Sequence, residues 1–322
     1  MKKIFFGIAL LALVFFLAGC ATQQQTAGTA FIGGTEALKT SFLDGNPPTT
    51  IYDDGTTPFA IVVKMENVGE TDIKQNDGYI QINGLDARTY NINTFKKNFN
   101  MDINSAKRNT DGSVLNGQTV TLDFPELKYT SSIIGDLQQK VSADICYRYT
   151  NKVATQLCII KDPNKVSDTK ICQVDSETNP QNSGGPIHVS SLKENFMGTG
   201  KVGFSMVITH VGTGDNFFKD NKLDCNDVES NPDRGKIKIK FNPVKIGGRD
   251  VDVKCDALTE GSTHEGYVRL FKDSSGKETY TIYCSIDTTS ADTIVQVPLQ
   301  AEISYVYLQS IQKDITIRHV TK

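Results

Sequence analysis

The residues of this chain with the most distinctive chemistry are its seven cysteines: Cys20, Cys146, Cys158, Cys172, Cys225, Cys255 and Cys284. Thiols bind metals, act as nucleophiles or form disulfides. Metal binding is disfavoured because the sequence has no Cys-x-x-Cys motif and no histidine at ligand spacing from these residues. The chain begins with the pattern of an export signal, and cysteines of exported proteins usually form disulfides. We therefore expect disulfide bonds among the six cysteines after Cys20.

One pairing is predicted from a repeated segment. Residues Ala143–Ile159 ("ADICYRYTNKVATQLCI") alternate like a β-hairpin centred on Lys152, in which Cys146 and Cys158 are directly opposite each other. A near copy at Ala301–Ile317 ("AEISYVYLQSIQKDITI") has the same alternation and lacks both cysteines. Two cysteines that form a bond are expected to be lost together, as both are in the second copy. We therefore predict a Cys146–Cys158 disulfide.

The other four cysteines allow three pairings. Cys255 ends the stretch "VDVKC" and Cys284 ends "YTIYC", and each shares its strand face with two apolar or aromatic residues. Both side chains are therefore expected to point into the same core. We predict a Cys255–Cys284 bond, which leaves Cys172 to pair with Cys225.

Residues Asn182–Pro186 ("NSGGP") resemble the loop around the nucleophile of trypsin-like serine proteases. The resemblance is incomplete, because Asn182 stands where that family has an aspartate. The family also places its histidine before the serine, whereas all four histidines here follow Ser183: His188, His210, His264 and His319. We interpret the segment as a glycine-rich linker and predict no catalytic residue in the chain.

The densest acidic stretch is the loop Asp215–Gly235. Five of its side chains could supply oxygen ligands to calcium: Asp220, Asp224, Asn226, Asp227 and Glu229. Their spacing does not follow that of an EF-hand. The alternative is a solvated acidic loop held by Cys225, with no metal bound.

The first twenty residues predict the cellular location. Lys2 and Lys3 precede an apolar run, Ile4–Ala18, that is shorter than the roughly 20 residues of a membrane span. The run ends in "LAGC" (Leu17–Cys20), which resembles the lipobox of prokaryotic lipoproteins. The resemblance implies cleavage of residues 1–19 and a diacylglycerol-type lipid on Cys20; the alternative is an uncleaved signal anchor. Residues 20–30 would form the lipidated tether, and the rest would lie outside the cytoplasm, attached to a membrane.

Beyond the tether, short runs of alternating apolar and polar residues are typical of half-buried β-strands. Four such runs recur in the same order about 150 residues later, beginning with Phe59–Gly69 and its counterpart Val202–Gly212. We predict an all-β chain of two tandem immunoglobulin-like β-sandwich domains, residues 31–162 and 186–322. A linker rich in Asn, Asp, Ser, Pro and Gly would join them at 163–185.

The stretch "FAIVVKMENVGE" (Phe59–Glu70) resembles the signature strand of CARDB-type, immunoglobulin-like domains of archaeal and bacterial surface proteins. The second copy has His210 in place of the asparagine but keeps Val211 and Gly212. The resemblance implies a β-sandwich used in adhesion, spacing or assembly at the cell surface, and it implies no catalytic residues.

The charge balance gives no support to nucleic-acid binding. Loss of residues 1–19 removes two lysines and no acid, which lowers the formal net charge from −3 to −5. We expect a lipid-anchored, non-catalytic binding or scaffolding protein whose partners are the membrane and an envelope protein, a surface protein or a glycan. One alternative is an accessory subunit of a secretion, pilus or transport assembly that pairs through a sheet edge. The other is an enzyme with a site between the domains.

Overall fold

The computed structural model describes residues 29–162, 171–174, 176–217 and 223–321. Within these ranges the regular structure consists of 22 β-strands and no helix, which confirms the all-β class. A helix able to cross a membrane is therefore not found among these residues. The strands are β1 (Leu38–Phe42), β2 (Thr50–Tyr52), β3 (Phe59–Asn67), β4 (Gly78–Asn83), β5 (Lys96–Asn98), β6 (Lys107–Arg108), β7 (Val114–Leu115), β8 (Thr119–Leu127), β9 (Asp136–Ile159), β10 (Glu177–Thr178), β11 (Gln181–Asn182), β12 (Ile187–Phe196), β13 (Lys201–His210), β14 (Asp215–Phe217), β15 (Lys236–Phe241), β16 (Val244–Ile246), β17 (Arg249–Val251), β18 (Lys254–Cys255), β19 (Glu265–Arg269), β20 (Phe271–Lys272), β21 (Glu278–Asp287) and β22 (Val295–Arg318).

The two longest strands, β9 and β22, form the centre of the molecule. Each has 24 residues, and they pair antiparallel along their whole length, from Asp136 opposite Arg318 to Ile159 opposite Val295. At about 3.3 Å per residue, this two-stranded ribbon is roughly 80 Å long. It is the middle of a nine-stranded sheet with the order β19-β15-β22-β9-β4-β5, to which β2, β11 and β14 add at the sides.

The predicted hairpins are wrong. Neither long strand turns back at its centre, because Lys152 lies inside β9 and pairs with Glu302 of β22. An alternating pattern determines which side chains share a face, but it does not determine which strand is the neighbour. The apolar residues fall on one face in either arrangement, whether the two copies pair with each other or each copy folds back on itself.

The two halves of the ribbon are related by a local pseudo-two-fold axis. Corresponding residues of β9 and β22 are 158 positions apart, as Tyr147 and Tyr305 are. Tyr147 pairs with Tyr307, and Tyr149 pairs with Tyr305, so each pair is the image of the other. The four rings contact one another on the inner face, with centroids 6.0 to 6.4 Å apart.

The first half of the chain (residues 31–162) and the second half (residues 186–322) each have a smaller antiparallel sheet. The first has the order β1-β3-β8, and the second has β10-β12-β13-β21-β18, with β20 beside β21. Their registers correspond: Met65 pairs with Val120 in the first sheet, and Ile208 pairs with Tyr280 in the second. The second sheet differs by having additional strands at both edges, namely β10, β18 and β20.

One hydrophobic cluster lies between these sheets. It contains buried residues of both small sheets, such as Val63 and Met206, together with inner residues of the long strands, such as Ile145 and Ile303. The two halves therefore share a sheet and a contiguous core. The limits of the two domains, 31–162 and 186–322, remain a prediction.

Candidate functional site

The structure contains three disulfides, which indicates an extracytoplasmic protein. Cys146 is bonded to Cys225, and Cys158 is bonded to Cys172. These bonds differ from the predicted Cys146–Cys158 and Cys172–Cys225 pairs. The reason is that Cys146 and Cys158 lie on one continuous strand, and twelve residues of strand separate their Cα atoms by roughly 40 Å.

The third disulfide joins Cys255 and Cys284, the pair favoured by their common core-facing pattern. The two residues are directly opposite each other on β18 and β21, with Cα atoms 4.0 Å apart. Both side chains are buried and belong to the main core cluster. The bond therefore fixes the short strand β18 on the edge of the second sheet.

The Cys146–Cys225 bond connects the two halves. It fixes the acidic loop of the second half on the outer face of β9, which belongs to the first half. A second, smaller apolar cluster forms there, in which Phe217 and Cys225 pack on Val306 of β22 and on Tyr79 of β4. Tyr79 Oη also accepts a hydrogen bond from the Cys225 backbone N–H at 3.2 Å.

The described residues of the acidic loop do not bring three or more acidic side chains together around one point. Asp224 Oδ1 accepts a hydrogen bond from the backbone N–H of Asn226, which is a local turn contact. No group of three or more acidic, histidine or cysteine side chains with metal-binding geometry occurs in the described ranges. The candidate ligand Asp220 lies outside the described residues, as does the lipidation candidate Cys20. Asp227 and Glu229 belong to no such group.

Residues 181–186, which contain "NSGGP" and which we call the connector, lie against β9. Ser183 Oγ accepts a hydrogen bond from the Lys152 backbone N–H at 2.8 Å, and the Ser183 carbonyl accepts one from Asn151 Nδ2 at 2.8 Å. Gly184 N–H donates to Glu70 Oε2 at 2.8 Å. In the described part of the chain the Ser183 hydroxyl is bonded to the backbone of β9, and no hydrogen bond joins it to a histidine.

Tyr149 of β9 holds the turn that follows β3 in the first half. Tyr149 Oη accepts hydrogen bonds from the backbone N–H groups of Glu70 (2.9 Å) and Thr71 (3.2 Å). A Cβ atom on Gly69 would lie 2.0 Å from Tyr149 Oη. Glycine at this position therefore allows the hydroxyl to reach the turn, which explains the glycine of the "NVG" motif.

The second half repeats this arrangement with one change. Tyr307 Oη accepts a hydrogen bond from the Gly214 N–H at 2.7 Å, and a Cβ atom on Gly212 would lie 2.2 Å from Oη. His210, which replaces the asparagine, lies between Tyr307 Oη and Glu278 Oε2, 3.1 Å from each. Burial raises the pKa of Tyr307 to about 12, so its hydroxyl stays neutral at ordinary pH.

The other three histidines lie apart from one another. His188 Nε2 is 3.2 Å from the Gly34 carbonyl, and burial lowers the pKa of this imidazole. His264 Nδ1 is 3.2 Å from Ser262 Oγ. His319 Nδ1 is 2.7 Å from Asp53 Oδ2 near the C-terminus. These contacts fix loops and termini.

A groove on the outer face of the second small sheet has the features of a binding site. We call it the outer groove; it has a volume of about 190 Å³ and is lined by Asn195, Met197, Lys201, Gly203, Phe204, Asp256, Tyr283, Cys284 and Ser285. Tyr283 projects outward from β21 with 62% of its surface exposed, and Met197 is 56% exposed. The groove therefore presents an accessible aromatic ring beside a thioether.

The rim of the outer groove has free hydrogen-bonding groups. Among the described residues, the side chains of Asn195, Lys201, Asp256 and Ser285 and the hydroxyl of Tyr283 have no hydrogen-bond or ion-pair partner. Exposed polar groups are normally hydrated and can exchange water for a ligand at low cost. An exposed tyrosine offers a large apolar surface and a polar end at a small entropic cost.

The first half has no equivalent of this groove. The corresponding register places Asp123 opposite Val62 where the second half has Tyr283 opposite Ser205. The hairpin that carries Met197 is also specific to the second half, because β12 has ten residues and β1 has five. The sequence contained a signal for this site: Tyr283 is an aromatic residue at an outward position of "TYTIYC", whose counterpart "TVTLDF" has an aspartate there.

Comparisons with known proteins find weak structural similarity and no family. No protein-family model matches the chain, and no curated protein matches it. The secreted serine protease VesC from Vibrio cholerae is 12% identical with a TM-score of 0.18, and the alignment covers 84% of this chain and 50% of that one. This chain thus spans about half the length of VesC.

Two surface adhesins show similarly weak structural similarity. The serine-rich repeat adhesion glycoprotein Srr1 from Streptococcus agalactiae has a TM-score of 0.20 and 8% identity, with 89% of this chain and 97% of that one covered. The CupB6 tip adhesin from Pseudomonas aeruginosa has a TM-score of 0.14 and 10% identity, with coverage of 88% and 99%. Scores this low do not support an assignment of fold family or ligand.

Proposed function

We propose that this chain is a non-catalytic binding or scaffolding protein of the cell surface, attached to a membrane by a lipid on Cys20. The lipobox-like end of the apolar run supports the anchor, and the three disulfides support a location outside the cytoplasm. The shared sheet and the Cys146–Cys225 bond support a stiff body in which the two halves, proposed immunoglobulin-like sandwiches, keep a fixed orientation.

The observation that carries the proposal is the exposed ring of Tyr283 among unpaired polar groups. Tyrosine is enriched at binding surfaces because its ring packs on an apolar patch while its hydroxyl bonds a polar one. A glycan presents both kinds of surface, as does a loop of an envelope protein. The outer groove lies on the face of the second small sheet, so it suits a ligand that lies on the sheet.

The proposal is tested by the binding of the mature chain to immobilised surface glycans and to solubilised envelope proteins. We expect Tyr283→Ala to weaken the binding at least tenfold, because central aromatic residues usually contribute most to such contacts. Tyr52→Ala is the matched control, since Tyr52 is an exposed tyrosine remote from the groove. Equal binding by the wild type and Tyr283→Ala, with both folded, would refute the role of the groove.

The anchor is tested separately by mass spectrometry of the mature N-terminal peptide and by detergent partitioning. We expect a lipid-modified Cys20 and membrane retention of the wild type. Cys20→Ser should release the folded protein from the membrane. An unmodified Cys20 in a membrane-free protein would contradict the anchoring proposal without affecting the proposal about the groove.

A further inference from the structure

The connector between the halves fills a slot beside the first long strand. β11 pairs with β9, and the Ser183 N–H donates to the Lys152 carbonyl at 2.8 Å. On the opposite wall, Asn182 Oδ1 accepts from the Val189 N–H at 2.7 Å, and Asn182 Nδ2 donates to the Val189 carbonyl at 3.0 Å. The connector is therefore a short extended segment held between the edges of β9 and β12.

The pseudo-two-fold axis generates a second slot beside β22. Residues of β22 lie 158 positions after their counterparts in β9, so Gln309 and Ser310 correspond to Asn151 and Lys152. Asn151 and Lys152 are the residues of β9 that bond the connector through Ser183.

The other wall of the second slot is formed by β1, the counterpart of β12. The Ala37 carbonyl accepts hydrogen bonds from the first-half turn, and the Pro186 carbonyl accepts them from the second-half turn. Ala37 and Pro186 therefore correspond to each other. Thr40 of β1 lies three residues after Ala37, and Val189 of β12 lies three residues after Pro186, so Thr40 is the counterpart of Val189. Thr40 therefore occupies the position that bonds the side-chain amide of the connector.

No described residue fills the second slot. It is a groove of about 490 Å³ whose lining includes Thr40, Thr213, Ser310 and Ile311. Within the described ranges, β1 pairs only with β3. On the edge of β22 that faces the slot, β14 pairs with residues 306–308 and β2 pairs with residues 316–318, and no described strand pairs with the residues between them. Backbone groups on both walls are therefore available to an added segment.

The charges around the open slot are mixed. Glu36, Lys39 and Asp215 all line it, so acidic and basic side chains lie within the same groove. Such a lining does not select a strongly charged ligand. It suits an uncharged polar segment, and the connector residues Gln181–Gly185 that fill the first slot have this composition.

We propose that the open slot binds a short extended segment of a partner polypeptide, which adds to the edge of β22 as the connector adds to β9. Strand addition of this kind derives its affinity from main-chain hydrogen bonds and its specificity from alternate side chains. The segment that fits has a side-chain amide opposite Thr40, followed by small residues beside Ser310. This inference does not depend on the outer groove.

The probe is a labelled synthetic peptide with the sequence of residues 178–187, "TNPQNSGGPI", added to the mature full-length protein. We expect saturable binding by fluorescence anisotropy. Hydrogen–deuterium exchange should show new protection in residues 38–42 and 309–313. A peptide in which the asparagine corresponding to Asn182 is replaced by leucine should bind at least fivefold more weakly, because it lacks the amide that bonds the strand opposite.

Two protein variants complete the test. Thr213→Trp places a large ring in the slot and should abolish peptide binding, whereas Thr199→Trp, in the exposed β12–β13 turn, should not. Saturable binding that Thr213→Trp removes supports the proposal. Absence of binding, or protection confined to β9 and β12, would overturn it. A concentration-dependent dimer that protects the same residues without peptide would also overturn it, since a second copy would then be the occupant.

Discussion

Tyr149 Oη donates a hydrogen bond to the carbonyl oxygen of Gly184 at 2.8 Å. The same hydroxyl accepts from the turn after β3, so one side chain connects the long strand, the first-half turn and the connector. Burial raises the pKa of Tyr149 to about 12, which keeps the hydroxyl protonated and able to donate. The connector is thus held against the first half by polar side-chain contacts as well as by its pairing with β9.

Gly69→Ala tests the fit of this hydroxyl against the turn. The added methyl group would lie 2.0 Å from Tyr149 Oη and 3.1 Å from the Ala37 Cα, so the ring must move. We expect a loss of about 1–3 kcal/mol in the free energy of unfolding, measured with denaturant. In the Gly69→Ala, Tyr149→Phe double variant the two losses should be less than additive, because the second change removes the nearest clashing atom. Strict additivity would contradict this account.

Asn151→Ala tests the buried polar network around the connector. Asn151 Nδ2 donates to the Ser183 carbonyl, and Oδ1 accepts from Tyr305 Oη. Truncation leaves these buried groups unpaired, which we expect to cost about 2–4 kcal/mol of unfolding free energy. Asn242→Ala, at an exposed amide that bonds Gln300, is the control and should change stability by less than about 0.5 kcal/mol.

Removal of the Cys146–Cys225 bond by a double serine substitution should release the acidic loop from the sheet. The bond closes a long loop, with a sequence separation of 79 residues, so we expect a loss of about 2–4 kcal/mol. Limited proteolysis should detect new cleavage between residues 223 and 235. Peptide mapping of the wild type without reduction should recover Cys146 linked to Cys225; recovery of Cys146 linked to Cys158 would show that the long strands do not pair as described.

Asp53 gives a prediction about acid stability. Its carboxylate accepts hydrogen bonds from His319 and from the backbone N–H groups of Ile133 and Val320, which lower its pKa to about 2. A carboxylate whose pKa is lower in the folded state stabilises the protein above its unfolded pKa of about 4. This stabilisation is lost as the pH falls from about 4 through 2.

The measurement is urea unfolding of the wild type and Asp53→Asn between pH 7 and pH 2. The difference in unfolding free energy between the two proteins should be constant above about pH 5 and should shrink towards pH 2. Asp314→Asn removes an exposed carboxylate that accepts no hydrogen bond from the described residues, and it is the control for the loss of one negative charge. A difference that grows on acidification would show that the stabilising form is the protonated one.

Some features of this protein followed from local sequence. Alternation of apolar residues indicated strands, and the recurrence of four runs indicated a duplication with corresponding registers. The core-facing positions of Cys255 and Cys284 followed from the same alternation. These properties depend only on which side of a strand a residue occupies, and a period of two specifies that directly.

The structure alone determined which strands are neighbours. The segment around Lys152 was expected to fold back on itself, but it pairs with its own repeat, and this single change moves Cys146 and Cys158 far apart. The pairing also brings Asn151 and Tyr149 of β9 into contact with the connector, and it leaves one slot filled and its counterpart open among the described residues.

The sequence by itself therefore determined the strand content, the duplicated plan and the identity of the inward-facing residues. Tertiary structure decided the partner of each strand, the pairing of four of the cysteines and the exposure of Tyr283. The physical reason is that hydrophobic patterning specifies a face, whereas neighbour choice depends on the packing of the whole core and on hydrogen bonds between residues far apart in the chain.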